Sequence, residues 1–225
     1  MLSPEMEDYL KAIHEHQRET EGPVSTSTIA ESMDVTPPTA TSMMEKLEER
    51  GLVEREKYKG VRLTDEGETI ATEVIRHHRL LETYLTDKLG FDWTAVHEEA
   101  DRLEHHISEE FERRVAAQLG DPDVDPHGDP IPSDALEPLD ECSGTALSEC
   151  HEGDTVEVTR VRDRDPDELE YLSEVGIEPG TTLAVVDIPP IGLLEVELEG
   201  GTRVSLPEHV AATIRVTGAA SATNG

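Results

Sequence analysis

Four side chains that can ligate divalent metals recur on one side of a predicted helix: His97, Asp101, Glu104 and His105, at offsets of 0, 4, 7 and 8 residues. Positions spaced by three, four and seven share a helical face, so these imidazole and carboxylate groups would project together. His78 and Glu82, four residues apart on the preceding predicted helix, repeat the pattern. Mixed oxygen and nitrogen donors of this kind suit Mn2+, Fe2+, Co2+, Ni2+ or Zn2+. His-bearing acidic helices can equally be solvated faces, and His77, His106 and His127 are read as surface histidines. The enzymatic alternative is a metallohydrolase using His78, Glu82, His97 and Glu104 around an activated water. No nucleophile motif or glycine-rich phosphate loop accompanies those residues, which argues against an enzyme and against a small organic substrate.

The elements that must position these groups are legible from hydrophobic spacing. Thr64 is placed to cap a long helix that runs through Ile70, Val74, Leu81 and Leu85, and Gly90 separates it from a helix expected from Asp92 to Leu119. Val96, Ala100, Leu103, Ile107 and Phe111 line the apolar side of that second helix. This is more apolar surface than two helices of one chain can cover, so a homodimer is expected.

Upstream, Ser3-Pro4 opens a first helix with Met6, Leu10 and Ile13 on its apolar face. A short second helix follows the caps Ser25-Thr26-Ser27. A third begins at Pro37-Pro38, buries Ala40, Met43, Met44 and Leu47, and stops at Gly51. This is helix-turn-helix spacing, and the segments 52–56 and 61–63 can pair as a wing around Lys57-Tyr58-Lys59-Gly60. Between Lys46 and Arg62 the local charge is +2, a reversal within a chain of formal charge −32. Phosphate contacts require such cations, and Lys46, Arg50, Lys57, Lys59 and Arg62 are the candidates. Thr36, Pro38, Thr39 and Ser42 occupy the exposed start of the third helix, where hydroxyls can meet base edges or phosphates and Pro38 a thymine methyl.

Residues 120–144 are rich in Pro, Gly and Asp, the composition of an ordered connector or linker. Beyond it, alternation in Thr155-Val156-Glu157-Val158, Thr182–Val186, Leu194–Leu198 and Arg203–Leu206 reads as a small β-barrel, with a small polar tail after it. The 225 residues hold 51 acidic and 19 basic side chains, with only 3% aromatics. Such acidity would repel DNA in dilute salt, so a salt-rich cytoplasm is expected, where screening leaves only local charge effective. No segment is long and apolar enough to span a membrane, and no secretory leader opens the sequence. Cys142 and Cys150 lack the close pairing of a zinc site.

Taken together, these stretches resemble the diphtheria toxin repressor family of metal-dependent regulators. The resemblance rests on Met6-Glu7-Asp8-Tyr9-Leu10, the segment from Ile29-Ala30 to Gly51-Leu52-Val53, Leu63-Thr64-Asp65-Glu66-Gly67, and His78-Arg79-Leu80-Leu81-Glu82. It rests above all on the run His97–His105, and also on His127-Gly128-Asp129-Pro130-Ile131-Pro132. It implies an α+β protein with an N-terminal winged helix-turn-helix domain (1–65) and a helical metal-binding and dimerisation domain (66–120). A linker (121–146), a C-terminal SH3-like small β-barrel (147–217) and a disordered tail (218–225) would follow.

The resemblance further implies a primary metal site of Asp8, Asp101, Glu104 and His105. The implied ancillary site is His78, Glu82 and His97, with Asp165 and Glu168 as barrel-borne additions. The family's two-domain manganese regulators carry a carboxylate where this chain has Lys11. The family's iron regulators place sulfur-containing side chains at the positions of Asp8 and Asp101. Two carboxylates are harder donors, so Mn2+ is favoured over Fe2+. The implied partner is a palindromic operator in double-stranded DNA, with repression of metal-uptake genes as the outcome. A metal-independent winged-helix protein is the alternative among DNA-binding readings.

Overall fold

The computed structural model describes residues 2–20, 22–56, 59–136, 144–162, 166–189 and 192–218. Lys57, Cys142, Asp165 and the tail beyond residue 218 lie outside the described residues. The described chain forms two compact units. The first comprises residues 1–81, 101–118 and 131–138, and the second residues 82–100, 119–130 and 139–225.

In the first unit, α1 (Pro4–Thr20), α2 (Thr26–Ser32) and α3 (Pro37–Glu49) precede a hairpin of β1 (Val53–Glu56) and β2 (Gly60–Leu63). Each boundary has a local cause. Ser25 caps α2 by accepting from the Thr28 backbone N–H at 3.1 Å, Asp34 turns the chain with φ 48°, and Pro37-Pro38 starts α3 where no backbone donor is needed. Tyr9, Leu10, Ile13, Ile29, Met44 and Leu47 fill the core almost without exposure. Each such side chain contributes about 1.5–3 kcal/mol of burial. The long helix α4 (Asp65–Leu89) is capped by Thr64, whose Oγ1 accepts from the Gly67 N–H at 3.1 Å. Gly67 is required there, because a Cβ would lie 2.0 Å from the Leu52 carbonyl oxygen.

The expected single helix from Asp92 to Leu119 is two helices, α5 (His97–Leu103) and α6 (Glu109–Leu119). Ser108 starts α6 afresh, with its carbonyl accepting from Glu112 N–H at 2.9 Å and its hydroxyl from Phe111 N–H at 3.3 Å. Glu104 and His105 therefore stand in the turn after α5 rather than on a continuous helical face. Phe111, on α6, is 43% exposed in the single chain.

In the second unit, residues 121–130 are ordered and packed. Val124 and Pro130 form an antiparallel bridge, and Asp125, His127 and Asp129 are buried. Gly128 carries φ 88° and lies so close to the Thr159 carbonyl that a Cβ would be 2.0 Å from it, so no other residue fits. The barrel follows as β3 (Thr145–Ala146), a 3-10 turn, β4 (Thr155–Val161), α7 (Pro166–Glu174), β5 (Thr182–Asp187), β6 (Leu193–Leu198), β7 (Arg203–Pro207), α8 (Glu208–Thr213) and β8 (Ile214–Gly218). Its antiparallel strands run in the order β3-β8-β4-β5-β6-β7. Val158, Leu172, Ile177, Leu183, Val196 and Leu206 centre its core, against which Trp93 packs.

Candidate metal centre

Among the described residues, each unit assembles a cluster of ligand-type side chains. In the first, α1 supplies Asp8 and the turn after α5 supplies Glu104 and His105, with one donor atom of each within 4.8 Å of the others. His105 Nε2 lies 2.8 Å from Asp8 Oδ1 and 3.4 Å from Glu104 Oε1. The opposite ring atom, Nδ1, lies 2.7 Å from Glu7 Oε2. A carboxylate on one nitrogen fixes the ring orientation and keeps the other nitrogen directed at Asp8 and Glu104. Glu7 carried no signal in the sequence, because the resemblance marks Asp8 and a neighbouring glutamate is unremarkable in so acidic a chain.

Glu104 is fully buried. Burial alone would raise its pKa, but the His78 hydrogen bond and the Lys11 ammonium outweigh it and hold the carboxyl below the usual glutamate range. Burial raises the Asp8 pKa, against the opposing pull of His105. His78, on α4, places Nδ1 2.5 Å from Glu104 Oε2. Lys11 Nζ donates to Glu104 Oε2 at 3.0 Å and to Asp101 Oδ1 at 3.1 Å. Burial would lower the Lys11 pKa, yet Glu104 and Asp101 reverse this and hold the ammonium charged above its ordinary range. Of the four residues expected at the primary site, Asp8, Glu104 and His105 thus converge, while Asp101 is engaged by Lys11.

His77 is not a surface histidine. It is buried, with Nδ1 3.2 Å from the Glu104 carbonyl oxygen and Nε2 3.4 Å from Glu112 Oε2. The reason is periodicity, since His77 faces α6 from the inner side of α4 and so supports the turn that carries Glu104.

The second unit joins Glu82, Asp125 and His127, all buried, with one donor atom of each within 4.8 Å. His127, expected at the surface, is fully buried. Its Nε2 donates to the Trp93 carbonyl at 2.8 Å, which directs Nδ1 toward Glu82 Oε2 at 3.6 Å. Asp125 Oδ1 accepts from the backbone N–H groups of His127 and Asp129, both at 2.9 Å, so the loop holds its own ligand in place. Asp129 pairs with Arg160 of β4, pinning that loop to the barrel. Glu82 Oε1 also lies 3.1 Å from His97 Nδ1. The expected ancillary residues are thus placed as Glu82 and His97 in this unit and His78 in the first. Glu168, on α7, stands 3.8 Å from His209. The missed signal was Asp125-Pro126-His127, two ligand types two residues apart in a proline-rich loop.

Both clusters offer two carboxylates and one imidazole and no sulfur. That donor set fits a hard or borderline divalent ion.

On the winged helix, Thr36, Pro38, Thr39, Ser42, Lys46 and Arg50 are all exposed along α3, and the Thr36 and Thr39 hydroxyls hydrogen-bond at 2.9 Å. On the wing, Glu56 accepts from both Lys59 at 2.9 Å and Arg62 at 3.1 Å, which holds its pKa below the usual range. Arg55 pairs with Glu45 at 3.4 Å. No helix among the described residues is long and apolar enough to cross a membrane.

A winged helix with an exposed hydroxyl-bearing helix, joined to helices carrying buried carboxylate–imidazole clusters, defines a metal-dependent DNA-binding regulator. Comparison with known proteins agrees. Residues 1–61 match the iron dependent repressor N-terminal DNA binding domain. Residues 64–133 match the iron dependent repressor metal binding and dimerisation domain, and residues 145–218 a FeoA domain. The chain is 33% identical over 219 residues to the diphtheria toxin repressor of Corynebacterium diphtheriae, covering 93% of this chain and 95% of that protein. It is 32% identical over 221 residues to the iron-dependent repressor IdeR of Mycobacterium tuberculosis, with the same coverages, 93% and 95%. Among solved structures, a manganese-dependent transcriptional repressor in complex with manganese superposes with TM-score 0.86 at 38% identity, covering 95% of this chain and 99% of that one. The manganese regulator SloR superposes with TM-score 0.79 at 32% identity, covering 96% and 100%.

The chain belongs to the iron-dependent repressor family, whose members include the diphtheria toxin repressor. It is a transcriptional regulator of three-domain type, not an enzyme.

Proposed function

We propose that this chain represses its target genes as an operator-binding homodimer in the cytoplasm, activated by Mn2+ in preference to Fe2+. Each chain would hold metal at two separate places, Asp8–Glu104–His105 and Glu82–Asp125–His127. The observation that carries the reading is the convergence of Asp8, on a helix of the winged-helix domain, with Glu104 and His105, from the following helical domain. An ion on these three donors binds the arrangement that presents them together better than any other. Its binding energy therefore shifts the population toward that arrangement.

Preference for Mn2+ follows from the donors. Neither cluster contains sulfur, and carboxylate with imidazole accepts Mn2+ more readily than thiolate or thioether sites do. Raw affinity does not report this choice, because the Irving–Williams order gives Co2+ or Ni2+ tighter binding at almost any such site. The experiment is anaerobic occupancy of a duplex selected from a random pool, titrated with free Mn2+ and free Fe2+. Mn2+ should half-saturate at the lower free concentration, and Asp8→Met should narrow the gap. Fe2+ activating first in the wild type, with the ranking unchanged in Asp8→Met, would refute the hard-donor argument.

A further inference from the structure

Lys11 stands one helical turn beyond Asp8 on α1, and its ammonium is surrounded by metal-ligand types. Nζ lies 3.0 Å from His78 Nδ1, 3.1 Å from Asp101 Oδ1 and 3.0 Å from Glu104 Oε2. The side chain is only 14% exposed. The Asp101 and Glu104 carboxylate oxygens, from α5 and the turn after α5, accept from the ammonium, while His78 on α4 donates Nδ1–H to Glu104; the two carboxylates make a cation site, and the cation in it is covalently attached.

Glu104 serves two positions at once. Oε2 meets the ammonium, while Oε1 faces His105 Nε2 at 3.4 Å within the cluster that includes Asp8. One carboxylate thereby bridges a tethered cation on one side and the donors for a divalent ion on the other. Like charges a few ångströms apart in a buried pocket repel strongly, so the ammonium and a divalent ion cannot share the space between His78, Asp101 and Glu104.

We propose that Lys11 is a built-in cation that fills the second cation position of this cluster, so that the first unit takes a single divalent ion. The lysine also holds Glu104 and Asp101 in place before metal arrives, which lowers the ordering cost of binding. This rests on the Asp8–Glu104–His105 site proposed above.

The test is Mn2+ content of the full-length dimer by equilibrium dialysis, with electron paramagnetic resonance to detect exchange-coupled manganese pairs. Wild type should show isolated Mn2+ only. Lys11→Glu, which swaps the ammonium for a ligand, should bind about one further ion per chain and give an exchange-coupled pair. Lys11→Gln, neutral and close in size, should admit the same further ion more weakly. A coupled pair in the wild type, or no added ion in either variant, would overturn the proposal. A different result reports on the underlying site: if Asp8→Ala combined with His105→Ala leaves the wild-type Mn2+ content unchanged, the Asp8–Glu104–His105 reading fails.

Discussion

Glu7→Ala removes no metal ligand, yet it should weaken metal binding. Glu7 Oε2 lies 2.7 Å from His105 Nδ1, and the two side chains are 22% and 6% exposed, so water replaces the contact poorly. Hydrogen bonds involving charged groups contribute about 1.5–3 kcal/mol. Removing a carboxylate from behind a metal-ligating imidazole typically costs ~10–100-fold in affinity, and tenfold corresponds to ~1.4 kcal/mol, so the two scales agree. The partial exposure of Glu7 favours the lower half, a loss of about 10- to 30-fold. Competition for Mn2+ against a chromophoric chelator measures this directly. The free Mn2+ concentration that half-saturates DNA binding should shift by the same factor, with maximal occupancy unchanged, because metal and DNA binding are linked. Glu7→Gln, which keeps an acceptor oxygen, should recover part of the loss. Unchanged affinity in Glu7→Ala, alongside abolished affinity in His105→Ala, would show that His105 is oriented by something other than Glu7.

Glu104→Gln should change how the metal-free protein responds to acid. The folded pKa of Glu104 is lowered, so the stability it provides is complete above the ordinary glutamate value of about 4.3 and is lost as pH falls through the lowered one. The difference in urea midpoint between wild type and variant should therefore be largest near neutrality and shrink below that value. His127→Ala should lower saturating Mn2+ content by about one ion per chain, and loss of the bond to the partly buried Trp93 carbonyl should cost about 1 kcal/mol in denaturant unfolding. On the wing, Glu56 occupies both Lys59 and Arg62. Glu56→Gln should release them to phosphates, strengthening binding to specific and random duplexes alike. The plot of log K against log salt, read from fluorescence anisotropy, should steepen by roughly one to two.

The winged helix was legible because each of its boundaries has a local sequence cause: Ser25 as cap, Pro37-Pro38 as start, Gly51 as stop. The ligands on α1 and after α5 were legible only through resemblance, since Asp8 and Glu104 are 96 residues apart and no local pattern joins them. Offset counting placed Glu104 and His105 on a helical face, whereas they stand in a turn. Ser108 could equally have continued a helix, and sequence alone does not weigh that choice. His127 was misread because polarity argued for the surface. What buries it is the path of its loop, fixed by Gly128 against Thr159 and by Asp129 with Arg160, contacts made some 30 residues away. In the barrel, alternation exposed β4 to β7, whereas β8 runs directly into the small polar tail and was not marked by alternation; its place is set by pairing with β3 and β4.

In the proposed mechanism, metal held by Asp8, Glu104 and His105 switches on DNA binding. The most direct measurement is fluorescence anisotropy of a selected duplex against free Mn2+, for wild type and His105→Ala, each followed by excess chelator. Wild-type occupancy should rise with Mn2+ and collapse on chelation, while His105→Ala, folded by circular dichroism, should stay at the metal-free baseline. Equal occupancy with and without chelator, or a normal Mn2+ response from His105→Ala, would contradict the account.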